Sequence, residues 1–371
     1  MAENARDPDL VRGLADVGAE DWPAAGGKGA SLGELWRAGV RVPAGYVVTT
    51  AAFERFLQAL DPGGEIRRAI GRLAPDDVAA IARVTARVRA AIAAARMPPE
   101  VAAAIEGCYQ ALGNEPGAAS GPDASSADTS GAVAVRSSAT GEDSADASFA
   151  GLQDTYLWVR GAPAVISQVR NCWASLYNAE SVSYRLRLKI PERAATMGVV
   201  IQRMVSPRCA GVMFTRSPAT GDRSLVAIEG TWGLGSALVS GDVTPDGYVV
   251  SKVTGDILKR TVSVKLRWHT MMPNGSGVAV DDMPEHLREQ ACLSDSDIDR
   301  LLRLARRVES HYGAPRDIEW AIVDGAPPGE NLVLLQSRPE TVWSKRDAAP
   351  VAVPMPRPFD HVITYFTGGP R

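Results

Sequence analysis

Two runs near the C-terminal end constrain this chain more than any other feature. Asp317-Ile318-Glu319-Trp320-Ala321-Ile322-Val323 and Leu332-Val333-Leu334-Leu335-Gln336-Ser337-Arg338 flank the loop 324–331. Alternation with a period of two marks strands with unlike faces. A hairpin folded symmetrically about the loop sets Glu319 opposite Gln336 and Asp317 opposite Arg338. Those four residues then share one face, with Ile318, Trp320, Ile322, Val333 and Leu335 on the other. The apolar face has to pack on a core. The polar face gathers two carboxylates, an amide and a guanidinium. Carboxylate and amide oxygens suit Mg²⁺, and a guanidinium suits the phosphates that such an ion bridges. The plainer alternative is an exposed sheet face with one cross-strand salt bridge.

A second stretch points to the same chemistry. Val133 to Val135 read as a short apolar strand, after which Arg136-Ser137-Ser138-Ala139-Thr140-Gly141-Glu142-Asp143 breaks into small hydroxylated residues around one arginine. The planar guanidinium fork matches phosphate oxygens, and the hydroxyls and backbone can fill further acceptor positions. A strand end with a solvated arginine is the alternative. Earlier, Gly26-Gly27-Lys28-Gly29-Ala30-Ser31-Leu32-Gly33 fits neither a Walker A loop nor a dinucleotide fingerprint. Its glycines still permit close backbone approach. A helix expected over about 31–38 would aim its N-terminus at the same place, with Lys28 beside it. Read alone, a glycine-rich turn with an exposed lysine is the better explanation.

Composition narrows the class. The 371 residues carry a net charge of −3, which offers no surface for nucleic acid or an anionic membrane. The polar N-terminus lacks an apolar signal core, and no apolar run reaches bilayer-spanning length, so a cytoplasmic location is expected. Cys108, Cys172, Cys209 and Cys292 are scattered, without metal-site spacing, and read as reduced structural thiols.

Between the motifs the pattern is alternately helical and extended. Val42 to Thr50 reads as a strand closed by a Thr cap, with a helix behind it. The stretch 75–112 reads as two helices interrupted at Pro98-Pro99, and 113–131 as a flexible surface loop. Val165 to Arg187 reads as one helix. The runs 198–205 and 211–216 read as two paired strands, and 248–252 with 257–264 as a hairpin. Ser294 to Tyr312 reads as a helix capped by Ser294 and stopped by Gly313. The expected organisation is a lobe over 1–190, a second over 191–345 carrying the hairpin, and a Pro-rich tail over 346–371.

Six motifs now stand in order: Gly26 to Leu32, Val135 to Asp143, Ser148 to Gly151, Gly211 to Arg216, Trp232 to Gly235 with Val243-Thr244-Pro245-Asp246, and Asp317 to Trp320 with Leu335 to Glu340. In these the chain resembles the ATP-grasp nucleotide-binding domain of the PEP synthase, pyruvate phosphate dikinase and rifampicin phosphotransferase family, over about 10–345. The resemblance implies an α+β fold of two lobes, with antiparallel or mixed sheets flanked by helices and the nucleotide between them. It implies ATP and Mg²⁺ as cofactors. Lys28, Arg136 and Arg338 would hold phosphates, and Gly151 and Thr155 would line the nucleotide. Gln202, Met204 and Val205 would frame the adenine at the hinge. Glu319 and Gln336 would carry Mg²⁺, with Asp317 beside them.

The resemblance also exposes a departure. Family members that complete the reaction carry a swivelling domain with a histidine in a Thr-x-His-Ala setting. His269, His286, His311 and His361 stand in no such setting. The arrangement is similar to the ATP-binding subunit of phenylphosphate synthase, whose histidine lies on a partner. A phosphotransferase subunit that turns ATP into AMP and Pi, passing the β-phosphoryl group to a partner's histidine and on to a phenol-type or pyruvate-type acceptor, is the expectation. A nucleotide-binding regulatory protein or a carboxylate–amine ligase are the alternatives.

Overall fold

The structure, a computed structural model, describes residues 9–114, 131–140, 154–327 and 329–343. Gly151, residues 115–130 of the expected loop and the expected tail 346–371 lie outside the described residues.

Five strands, β1 (Val11–Gly13), β2 (Gly45–Val48), β3 (Ala132–Ala139), β4 (Thr155–Arg160) and β5 (Met197–Arg203), form one sheet in the order β1-β2-β5-β3-β4. Next come β6 (Pro207–Phe214), β7 (Leu225–Trp232), β8 (Asp246–Ser251) and β9 (Ile257–Thr261), then a separate two-stranded hairpin, β10 (Arg267–Met271) with β11 (Val278–Asp282). The last strands, β12 (Arg316–Val323) and β13 (Leu332–Pro339), join the second large sheet, ordered β13-β12-β6-β7-β8-β9. Every strand pair among the described residues is antiparallel. The α+β class is as the sequence leads one to expect.

The helices are α1 (Trp22–Arg37), α2 (Thr50–Leu60), α3 (Glu65–Gly71), α4 (Val78–Ala94), α5 (Pro99–Asn114), α6 (Ala162–Ser175), α7 (Ala179–Arg187), α8 (Ser236–Val239), α9 (Glu285–Arg288) and α10 (Asp295–Tyr312). Residues of α2 and α4 to α7 pack on the first sheet around Phe53, Phe56 and Trp173. A second core brings α10 and part of α1 together with the second sheet around Trp320, which is fully buried. Helix α10 shows why local sequence suffices for some elements. Ser294 Oγ accepts from Asp297 N, the Asp297 carboxylate accepts from Ser294 N, and Gly313 closes the helix in the left-handed region at φ 65°.

Several elements differ from the sequence reading. Strand β3 does not stop at Val135. It runs on to Ala139, because β5 pairs with Arg136, Ser137 and Ser138 and supplies their ladder bonds. β5 and β6 are not partners. β5 lies between β2 and β3, while β6 lies between β12 and β7, so the chain changes sheets between Arg203 and Pro207. The segment 165–187 is two helices, parted by the turn in which Tyr177 N and Asn178 N bond the Ala174 and Ser175 carbonyls.

Helix α1 starts earlier than expected and breaks at Gly26 (φ 71°, ψ 171°), so Lys28 lies on its restarted first turn. A Cβ at Gly26 would come 1.8 Å from the Ser138 carbonyl oxygen, so only glycine lets α1 approach β3 this closely.

In the hairpin, Glu319 does face Gln336 and Asp317 does face Arg338. A bulge between Glu319 and Trp320 then shifts the register, so that Trp320 pairs with Leu334 and Ala321 with Val333. Val333 and Leu335 therefore leave the Trp320 face, where the sequence puts them. They cluster with Ala210, Ala321 and Val205, and Leu334 takes their place in the main core.

Candidate active site between the two sheets

The site is built on one arginine. Arg136 enters from β3 and is 8% exposed. Its Nη2 donates to Gln336 Oε1 at 2.7 Å and to Glu319 Oε2 at 3.0 Å. Its Nη1 donates to the Leu335 carbonyl at 2.6 Å and, more weakly, to Gln202 Oε1 at 3.4 Å. One guanidinium thus gathers an amide and a carboxylate from the second sheet and an amide from the first. The bulge is what frees the Leu335 carbonyl for this contact.

Around it, the first sheet is fastened to α1. Lys28, 4% exposed, donates through Nζ to the Ser137 carbonyl at 2.6 Å. Gly29 N donates to Ser138 Oγ, which in turn donates to the Ala25 carbonyl. Across the hairpin, Arg338 Nε lies 3.2 Å from Asp317 Oδ2. Burial pushes the Asp317 carboxyl above its ordinary range, and the Arg338 guanidinium opposes that shift. On β5, Gln202 is 2% exposed and its Nε2 donates to the Pro43 carbonyl at 3.3 Å.

Glu319, Gln336 and Asp317 offer only hard oxygen donors, the set that Mg²⁺ prefers. A cationic group already bonds the Glu319 and Gln336 oxygens, namely the Arg136 guanidinium. Among the described residues no group of three or more His, Cys, Asp or Glu side chains could hold a metal ion, so a cation here would rest on the Glu319 and Gln336 oxygens in place of the guanidinium.

The sequence pattern of the "Pyruvate phosphate dikinase, AMP/ATP-binding domain" family matches residues 22–357. The chain belongs to this family. A probable phosphoenolpyruvate synthase of Methanothermobacter thermautotrophicus is 41% identical over 327 residues, covering 88% of this chain and 45% of that protein. A rifampicin phosphotransferase of a Streptomyces species is 41% identical over 334 residues, 90% of this chain and 36% of that protein. The phosphoenolpyruvate synthase of Aeropyrum pernix is 38% identical over 374 residues, covering 93% and 44%. The chain thus spans less than half the length of these relatives, and what it matches in them is an ATP-binding domain.

In this ATP-binding domain, Arg136, Gln202, Glu319 and Gln336 are in direct contact, and Lys28 reaches the backbone one residue beyond Arg136. Asp317 and Arg338 form the cross-strand pair two positions along the hairpin ladder from Glu319 and Gln336. Thr155 stands opposite Arg136 in the β3–β4 ladder and is exposed. Met204 and Val205 part company: Met204 packs with Ala134, Trp158 and Leu234, and Val205 with Ala210, Val333 and Leu335.

Sequence reasoning missed the supports. Arg316 lies 3.9 Å over the Tyr312 ring and bonds both the hydroxyl and the carbonyl of Ser337. Ser31 Oγ donates to the same carbonyl at 2.9 Å, which ties α1 to β13. Buried Arg216 donates to the Gly221 carbonyl and faces Glu340 and Trp343. Arg216 and Glu340 are legible as motif members, but their pairing across the sheet is not. A small cleft of about 140 Å³, lined among others by Leu14, Asp16, Trp36, Tyr46 and Leu112, contains none of the site residues.

No helix among the described residues is long and apolar enough to cross a membrane.

Proposed function

We propose that the chain binds ATP·Mg²⁺ between its two large sheets and serves as the ATP-binding part of a phosphotransferase of the dikinase type. The observation that carries this reading is the Arg136 cluster, which joins a guanidinium from one sheet, a group suited to phosphate, to Glu319 and Gln336 of the other. Lys28, Arg136 and Arg338 would hold phosphate oxygens, and Glu319 and Gln336, with Asp317 beside them, would hold the ion. When bound, Mg²⁺ neutralises charge on the phosphoryl oxygens.

The chain's own residues position and polarise. Arg136 is fixed in direction by four acceptors, so it is pre-organised toward whatever anion replaces them. Lys28 approaches the same strand from the helix side. Gln202 would orient the nucleotide from the hinge, with Met204, Val205 and Thr155 along its flanks.

In the overall exchange, ATP, water and a histidine give AMP, Pi and phosphohistidine. The histidine belongs to a partner with a swivelling domain, and a small-molecule acceptor of phenol or pyruvate type receives the group last. What supports a histidine outside these 371 residues is that their four histidines stand in no Thr-x-His-Ala setting.

Titration calorimetry of the chain alone with ATP and Mg²⁺ is the deciding experiment. Saturable 1:1 binding is expected, and absence of heat or competition at millimolar nucleotide sinks the reading. With β-labelled ATP and a histidine-bearing partner, label is expected on the partner. Label on this chain, abolished by replacing one of its histidines, would instead make it self-contained.

A further inference from the structure

The segment that joins β7 to β8 is bonded at several points to β10. His269, on β10 and 6% exposed, touches that segment at three places. Its carbonyl accepts from Leu234 N at 3.3 Å. Its Nδ1 lies 2.9 Å from Ser236 Oγ, and its Nε2 lies 3.1 Å from Asp242 Oδ2. An ionised carboxylate can only accept, so Nε2 carries the proton. In the neutral ring Nδ1 then accepts from the Ser236 hydroxyl. The Asp242 carboxyl is held below its ordinary range, first by the Ser240 hydroxyl and then by His269, which keeps it an acceptor.

The latched segment has a destination. Leu234 is buried with Ala132, Ala134, Trp158 and Met204, and Met271 and Val278 of the β10–β11 hairpin pack against them. Ala134 pairs with Gln202 across the β3–β5 ladder, two residues before Arg136. The apolar end of the segment therefore meets the hinge side of the arginine cluster. Gly233 (φ 72°) makes this possible, since a Cβ there would come 2.9 Å from the His269 carbonyl oxygen. Gly233 N also donates to the Arg208 carbonyl of β6 at 3.0 Å, and the His269 ring adds the side-chain contacts, to Ser236 and Asp242, that hold the residues following Leu234.

We propose that His269 is a positioning residue for the base end of the nucleotide site: by latching Leu234, Ser236 and Asp242 it holds Leu234 against Met204 and sets an apolar wall for a purine ring. The inference rests on the ATP reading above. It adds that discrimination between a nucleotide and a bare polyphosphate depends on a residue of the β10–β11 hairpin. His269 touches no phosphate in this account and acts only through the segment it holds.

The test compares binding of ATP·Mg²⁺ and of Mg²⁺-tripolyphosphate by calorimetry in wild type, His269→Leu, His269→Gln and Ser236→Ala. Leucine keeps bulk and removes both ring contacts, so ATP binding should weaken about tenfold while tripolyphosphate binding stays unchanged. Glutamine keeps a donor and an acceptor and should restore ATP affinity to within about threefold of wild type. Ser236→Ala removes one contact and should cost about threefold, again for ATP alone. If His269→Leu misfolds, Ser236→Ala decides the matter by the same comparison. Unchanged ATP affinity in a folded variant, or equal loss for both ligands, overturns the latch. Failure of wild type to bind either ligand would overturn the nucleotide reading instead.

Discussion

Arg136 and Glu319 are 183 residues apart in sequence, yet Nη2 and Oε2 stand 3.0 Å apart, joining the third strand of one sheet to the penultimate strand of another. The pair is asymmetric in exposure: the Arg136 side chain is 9% exposed and that of Glu319 36%. The guanidinium is thus the enclosed partner, and the carboxylate the one that solvent, an ion or a nucleotide can reach first. In the proposed function, opening this pair to admit phosphate would leave a cation for the anion and free a carboxylate for a metal.

Arg136→Ala should weaken ATP·Mg²⁺ binding by about ten- to a hundredfold, the range for a charge-assisted contact worth about 1.5–3 kcal/mol. Arg136→Lys should recover little, because an ammonium cannot span Gln336, Glu319 and the Leu335 carbonyl at once. Calorimetry of both variants checks this, and full recovery by lysine would show that the fork geometry is irrelevant.

Glu319→Gln keeps shape and removes the charge. Nucleotide affinity should fall at low Mg²⁺ and recover partly at high Mg²⁺, as expected for a lost metal ligand. A Mg²⁺ titration of ATP binding measures it. An unaltered Mg²⁺ dependence would move the ion elsewhere.

Asp317 gives a pH signature without ligand. Burial raises its folded-state pKa above the ordinary 3.8, so between 3.8 and the raised value the folded chain binds more protons than the unfolded one. Stability from this group therefore falls as pH rises through that window. Asp317→Asn should raise Tm at pH 7 by about 1–2 °C, with the gain shrinking toward pH 4. Thermal melts at both pH values decide it, and a gain that grows on acidification contradicts the sign.

Gly26→Ala should be among the most damaging substitutions in the chain. The added methyl would meet the Ser138 carbonyl at 1.8 Å and would also have to adopt a left-handed φ. A loss of at least about 3 kcal/mol is expected in denaturant unfolding. With it should go the Lys28–Ser137 and Gly29–Ser138 bonds, and ATP binding.

Much of the fold was open to inspection in the chain itself, wherever the physics is local. The α10 boundaries follow from Ser294, Asp297 and Gly313, and the pairing of Glu319 with Gln336 follows from period-two alternation about a short loop. The polar face of that hairpin, and the identity of Arg136 and Lys28 as candidates, were likewise decided by residue type and spacing. What stayed hidden depended on partners far away in sequence. Strand β3 outruns its apolar stretch because β5 lends it a ladder, and β5 and β6 separate because each has two other neighbours. A one-residue bulge, invisible to a period count, moves Val333 and Leu335 to another cluster and presents the Leu335 carbonyl to Arg136. Sequence alone therefore determined which candidate groups carry chemistry suited to phosphate and metal, because side-chain chemistry is carried by each residue. Only the tertiary structure decided that they meet one another. Long-range sheet register and the close approach at Gly26 set those distances, and both are properties of chains packed together.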